Sequence, residues 1–200
     1  MRIVVIGLYN SGSTCVAGVL DRLGVDMGAP YWHENECFYE PYDLSCILRH
    51  FWPEPECHSQ ASERIRVEVL RNWILGRESF GTSPCGAKHP LFCLSLADLR
   101  KAWGEETVFV WSQREREASI AGLRKRNWFG EMTVPIQNKL WNAIHDFDFA
   151  NANVFKLQYD AILQNPSQEI DRIISTLKLD VNADSRRAAI DWVQPPSGGG

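Results

Sequence analysis

The segment GLYNSGST, Gly7 to Thr14, decides the fold. Ahead of it runs a short β-branched stretch, Arg2 to Ile6 (RIVVI), the pattern of a strand buried on both faces. Behind it Val16, Val19, Leu20 and Leu23 recur at helical spacing, and Gly24 follows as a left-handed helix stop. Strand, glycine turn and helix thus stand in the order that a phosphate cradle requires, with backbone N–H groups at the helix start facing an anion. The segment nearly matches the nucleotide-binding pattern G-x-x-x-x-G-K-[ST]. Gly7, Gly12 and Thr14 fit, but Ser13 stands where the lysine belongs. In a nucleoside triphosphatase that lysine neutralises the β- and γ-phosphates, and an acidic residue after a buried strand helps hold Mg²⁺. The buried run TVFVW, Thr107 to Trp111, is followed instead by Ser112 and Gln113. Both features count against ATP or GTP hydrolysis.

Working outward, the pattern predicts further strands at Pro84–Lys88, Thr107–Trp111 and Val154–Gln158. Helices are expected at Tyr42–Phe51, Ser62–Leu75, Leu94–Trp103, Glu115–Arg126, Gln137–Phe147, Ser167–Leu177 and Ser185–Val193, with a loop over Asn127–Pro135. Strands alternating with helices predict an α/β fold, a three-layer P-loop domain with a mainly parallel central sheet flanked by helices. One domain is expected over residues 1–194, followed by a flexible tail, 195–200. Ligands of such sheets bind at the carboxyl ends of the strands. Gly7–Thr14, Lys88–Pro90 and Ser112–Ser119 each follow a predicted strand and should meet at one edge.

The 200 residues are 44% hydrophobic and 23% charged, ordinary for a globular protein. The net charge of -4 gives no general pull toward nucleic acid or an anionic membrane, so an anion site has to be built locally. The apolar start MRIVVIGL lacks the length and cleavage region of a signal peptide, and no run approaches a membrane span. The expectation is a cytoplasmic protein, or a catalytic piece of a longer one. Six cysteines without a C-x-x-C pair read as free thiols rather than as a metal site.

Several segments, in order, resemble those of P-loop sulfotransferases, which use 3'-phosphoadenosine 5'-phosphosulfate (PAPS) and release 3'-phosphoadenosine 5'-phosphate (PAP). The family's 5'-phosphosulfate loop reads approximately G-x-x-[RK]-S-G-[ST]-[ST], so Ser13 fits where a lysine was missing. Gly7, Ser11, Gly12 and Thr14 match as well, and CVAGVLDRLGVDMG (Cys15–Gly28) resembles the bacterial branch. ENECFYEPYDL (Glu34–Leu44) resembles a segment with an aromatic-Glu pair. CGAKHPLFCL (Cys85–Leu94) resembles the G-x-K-D-P segment, with His89 in place of the Asp. VFVWSQREREASIAGLRKR resembles the segment carrying an Arg and a Ser for the 3'-phosphate. LQYDAILQNPSQEIDRIISTLKLD resembles the Y-E-D-L-L-x-x-P element. Two further departures stand out. Asn10 occupies the position of a cation that touches the transferring sulfonate, and Trp111 that of the 3'-phosphate arginine.

The resemblance implies PAPS as co-substrate and PAP as product, no metal, and a small-molecule, glycan or peptide acceptor bearing a hydroxyl or amine. It implies a nucleotide site made by Asn10, Ser11, Gly12, Ser13, Thr14, Arg114 and Ser119, with Arg116 or Arg124 as substitutes for Arg114. Lys88 is the candidate for stabilising the departing phosphate. Glu40 is the candidate base, and His33, Glu34 and Glu36 compete for that role. Trp32, Phe38, Tyr39, Trp52 and Trp128 are candidate walls of an acceptor pocket. A PAPS- or PAP-binding protein without turnover and a nucleotide kinase are the alternatives.

Overall fold

The computed structural model describes residues 1–31, 38–54, 56–59, 61–81 and 84–193. Four parallel strands, β1 (Arg2–Ile6), β2 (Cys85–Lys88), β3 (Val108–Gln113) and β4 (Asn153–Gln158), form a sheet in the order β2-β1-β3-β4. Val5 pairs with Lys88 on one side and with Val110 on the other, so β2 ends one residue short of β1, and β3 runs on to Gln113, two residues past the partner of Ile6.

The unbroken apolar run of β1 has its reason in the layers. Val4 and Ile6 pack into one core, while Ile3 and Val5 pack into another, and all four are fully buried. The first core is closed by α2 (Tyr42–Phe51), α3 (Glu63–Ser79), α4 (Leu96–Trp103) and α6 (Thr133–Asp146), through Leu48, Leu70, Trp103 and Leu140 among others. Trp73 and Trp103 stack there at 5.7 Å between ring centroids, and the Trp103 indole N–H donates to the Leu70 carbonyl. The second is closed by α1 (Ser13–Arg22), α7 (Tyr159–Gln164), α8 (Pro166–Leu177) and α9 (Ala183–Val193), through Leu20, Ile162, Ile173 and Ala189. α5 (Arg116–Lys125) follows β3 and contributes Leu123 to the first core beside α6. Two apolar faces on one sheet give the three layers expected of an α/β fold.

Local differences from the sequence reading have simple causes. α6 starts at Thr133, not Gln137, because Pro135 falls in the first turn, where its missing N–H has no partner to lose. A 3₁₀ turn, Pro90–Leu94, precedes α4, which begins at Leu96. The short α7 between β4 and Asn165 is under two turns long, too short for a helical period to show in the sequence. Gly24 does close α1 in the left-handed conformation, at φ 91°, with its N–H donating to the Asp21 carbonyl. Among the described residues no helix is long and apolar enough to cross a membrane.

Candidate functional site

The sheet order places the switch point between β1 and β3. The chain leaves β1 for α1 on one face and leaves β3 for α5 on the other. The crevice opened there is where open α/β sheets bind ligands. It holds a cleft of about 1160 Å³. Its walls include Asn10, Gly12, Ser13 and Thr14 after β1, Lys88 at the end of β2 and Pro90 just after it, Arg114 after β3 and Tyr159 after β4.

The loop after β1 is shaped by two left-handed residues, Asn10 (φ 58°) and Gly12 (φ 85°). Alternation of this kind turns successive N–H groups to one side, and the first N–H groups of α1 have no intrahelical partner. Gly12 is sterically required, because a Cβ there would lie 2.0 Å from Cδ2 of the Tyr159 ring. The Asn10 amide donates to the Ser119 carbonyl at 3.3 Å and packs over Gly122, where a Cβ would lie 1.9 Å from its nitrogen. The Ser11 side chain is buried behind the loop and faces a separate cavity of about 130 Å³, and its carbonyl accepts from Ser112 Oγ. Ser119 is fully buried, and its hydroxyl donates to the Asn10 carbonyl at 3.4 Å. The structure therefore brings Asn10, Gly12, Ser13 and Thr14 to the cleft wall, but not the side chains of Ser11 and Ser119.

Lys88 ends β2 pointing inward, 3% exposed, and its Nζ donates to Glu40 Oε1 at 2.7 Å. Glu40 is itself 7% exposed. Burial works to raise its pKa, yet the charge of Lys88 and its hydrogen bond outweigh this and hold Glu40 below the usual carboxylate range. His89 is fully buried beside them. Its Nδ1 accepts from the Leu91 N–H at 3.1 Å, so the ring proton sits on Nε2, which lies 3.6 Å from Glu40 Oε2. Burial first, then the neighbouring charges of Lys88 and Arg49, push the imidazole down to about 4 against the pull of Glu40. Unfolded His89 takes up a proton below about pH 6.5 while the folded ring stays neutral down to about pH 4, so stability is lost as pH falls through that window. The expected loss from this group is about 2 kcal/mol between pH 7 and pH 5. Urea titrations at the two pH values should show that His89→Asn, which keeps the acceptor for Leu91, removes this loss. Parallel losses in both proteins would contradict the assignment.

Two cleft arginines have no carboxylate partner among the described residues. Arg114 donates to the Asn10 carbonyl at 3.1 Å and lies 5.2 Å from the Tyr159 ring centre. Arg126 lies 5.5 Å from the Trp128 ring centre. Arg116 is turned away to Asn138 and Glu117, and neither Arg124 nor Lys125 reaches the cleft. Trp111, at the position where the resemblance expects an arginine, stacks on Phe149 in the core at 5.7 Å.

Of the aromatic candidates, Phe38 and Trp128 line the cleft. Tyr39 is core and accepts from Arg22, and Trp52 donates to Ser95 Oγ away from the cleft. Trp32, His33, Glu34 and Glu36 lie outside the described residues. Sequence reading missed Tyr9, Arg49, Phe129, Tyr159 and Trp192. Tyr9 directs its hydroxyl to Glu54, which also pairs with Arg49, and its ring meets Phe129 edge-on at 5.0 Å. Tyr159 follows β4 directly, so the strand-end rule that found Lys88 would have found it too. Trp192 reaches the cleft from α9 over Gly18, with its N–H on the Cys15 carbonyl, a contact no local pattern signals. Cys15 also lines the cleft, and burial pushes its thiol up to about 11, which leaves it protonated and unreactive.

The fold has known counterparts. A sulfotransferase from Mycobacterium avium matches with a TM-score of 0.60 at 12% identity, over 99% of this chain and 69% of that one. The sulfotransferase domain of the olefin synthase of Synechococcus PCC 7002 matches with a TM-score of 0.60 at 12% identity, over 100% and 78%. An unliganded sugar kinase from Janibacter sp. HTCC2649 matches with a TM-score of 0.54 at 17% identity, over 89% and 94%. No protein-family model and no curated protein sequence matches the chain significantly. At these identities the likeness is one of fold, shared by sulfotransferase domains and a kinase.

Proposed function

We propose that the protein transfers a sulfuryl group from PAPS to a hydroxyl or amine acceptor. The observation that carries this reading is the phosphate loop without a lysine, set in one cleft with two arginines, Arg114 and Arg126, that have no carboxylate partner among the described residues. A ligand with an anion at each end suits that arrangement. The 5' end lies on the N–H groups of Gly12–Thr14, and a 3'-phosphate lies on Arg114, with Arg126 as its second cation. In the transfer, the acceptor oxygen or nitrogen attacks sulfur. The bond from sulfur to the bridging oxygen breaks, and its electron pair leaves with PAP. Glu40 takes the acceptor's proton, and Lys88 meets the charge that grows on the departing phosphate.

The kinase fold likeness gives the second reading. It requires a cation on the loop and carboxylates for Mg²⁺. Ser13 occupies the first position, and Ser112 and Gln113 follow β3. Glu40, the one carboxylate on the cleft wall among the described residues, is held by Lys88. These features favour sulfuryl over phosphoryl transfer, and transfer is expected to survive EDTA. Loss of activity on chelation, restored by Mg²⁺, would favour the kinase.

Arg114 supplies the test of donor recognition. Arg114→Ala is expected to weaken PAP binding by about 1.5–3 kcal/mol, the range for a hydrogen bond to a charged group. It should scarcely change the affinity for adenosine 5'-phosphosulfate, which lacks the 3'-phosphate. Calorimetry with both ligands decides. Equal losses for the two would show that Arg114 does not read the 3'-phosphate.

A further inference from the structure

We infer that Asn10 is a specificity-determining residue of the donor site: its side-chain amide, seated on Gly122 of α5, donates to the 3'-phosphate beside Arg114 and not to the transferring sulfonate. This rests on the transferase reading above and names the group by which the same site tells one donor from another.

The backbone turns this loop residue toward α5. Asn10 is left-handed at φ 58°, a conformation that asparagine adopts more readily than most residues. Its carbonyl accepts from Arg114 at 3.1 Å and from Ser119 Oγ at 3.4 Å, and its amide donates to the Ser119 carbonyl at 3.3 Å. Three hydrogen bonds thus tie Asn10 to the segment after β3. The N–H groups of Gly12–Thr14 belong to the start of α1, on the opposite face of the sheet. Gly122 makes the seat. A glycine inside a helix weakens it, so its presence in α5 needs a reason. The reason is the Asn10 side chain: a Cβ on residue 122 would lie 1.9 Å from Asn10 Nδ2 and 2.9 Å from its Cγ.

The chemistry agrees. The nitrogen of the carboxamide must face Ser119, because the oxygen there would oppose the Ser119 carbonyl. A carboxamide has two N–H donors, and the second has no acceptor among the described residues. Asn10 and Arg114 line the same cleft, and the hydrogen bond that Arg114 makes among the described residues is the one to the Asn10 carbonyl. A guanidinium and a spare amide N–H on adjoining groups suit a phosphate, which can place one oxygen on each. The hydroxyl of Ser119 is already spent on the Asn10 carbonyl, so the neutral donor at this end comes from Asn10 instead. An uncharged amide serves a phosphate that only has to be recognised. The charge that builds where the bond breaks needs a cation, and Lys88 supplies it.

The test is calorimetry with PAP and with adenosine 5'-phosphosulfate, which lacks the 3'-phosphate, on Asn10→Gly and Gly122→Ala. Asn10→Gly keeps access to the left-handed backbone and removes the amide. Gly122→Ala pushes the amide off its seat and leaves the loop sequence intact. For each, PAP binding is expected to weaken about tenfold or more, as on losing a hydrogen bond to a charged group, with adenosine 5'-phosphosulfate scarcely affected. The double variant should bind PAP no more weakly than Asn10→Gly, because the added methyl group then meets no amide. Equal losses for the two ligands would put the amide at the 5' end or in the shape of the loop, and overturn the assignment while the donor reading stands. So would unchanged PAP affinity in Asn10→Gly, or a further loss in the double variant. A wild-type protein that takes up no PAP removes the donor reading, and the role of Asn10 falls with it.

Discussion

Replacing Lys88 by alanine is expected to lower turnover about 10²-fold or more, the effect of losing an oxyanion-type donor, and to destabilise the fold by about 3–5 kcal/mol, the cost of stranding one partner of a buried ion pair. The second effect follows from the burial of both partners at 2.7 Å. Without Lys88, burial acts on Glu40 with less to oppose it and drives its pKa up. The carboxylate then takes up a proton more readily, so the penalty should shrink as pH falls from 8 to 5. PAP affinity should fall less than turnover, because charge on the departing phosphate is greatest in the transition state. A fold defect alone could mimic the loss of activity, and the double variant Lys88→Met with Glu40→Gln separates the two. It removes both charges and should regain most of the stability without regaining turnover. Denaturant titration and steady-state assay measure the pair. Single-variant stability equal to wild type would show that the buried pair contributes little. Restored turnover in the double variant would remove Lys88 from the chemistry.

The other large effect is expected at Gly12. A valine there should abolish PAP binding and destabilise the protein by at least about 2 kcal/mol, since the left-handed φ of 85° is unfavourable for a β-branched residue. Its Cβ would also fall 2.0 Å from the Tyr159 ring. From sequence alone, this glycine is needed only for close approach of a phosphate to the backbone, and substitution would leave the fold nearly intact. The ring from the end of β4 changes that expectation. Gly12→Ala combined with Tyr159→Ala isolates the causes: it relieves the clash, keeps the backbone strain, and leaves a methyl group where the phosphate approaches. Stability should recover in part, while PAP binding should not. Thermal unfolding and calorimetry report the two effects independently. A Gly12→Val protein with unchanged melting temperature and unchanged PAP affinity would remove the loop from the site.

The strands and the crossing of the chain were legible because each is written locally. β1 and β3 are apolar runs that face two cores, and a glycine turn leads from β1 into a periodic helix. The parallel register then brings Gly12, Lys88 and Arg114 to one crevice, as the topology demands. What could not be read depends on partners far along the chain. Nothing near Glu54 signals that it accepts from both Tyr9 and Arg49, and nothing near Trp192 signals that it lies over Gly18. The fixed tautomer of His89 depends on a backbone N–H two residues on, in a 3₁₀ turn that periodicity does not reveal. Ser119 shows the opposite limit. A matching residue type in a matching segment has its hydroxyl on the Asn10 carbonyl and its side chain outside the cleft.

We propose that the crevice between β1 and β3 binds a nucleotide with an anion at each end. Calorimetric titration of the wild-type protein with PAP, beside ATP with Mg²⁺, tests it most directly. The expected result is saturable binding of one PAP per chain and weaker or no binding of ATP with Mg²⁺. Tight binding of ATP with Mg²⁺, with no heat from PAP, would contradict it.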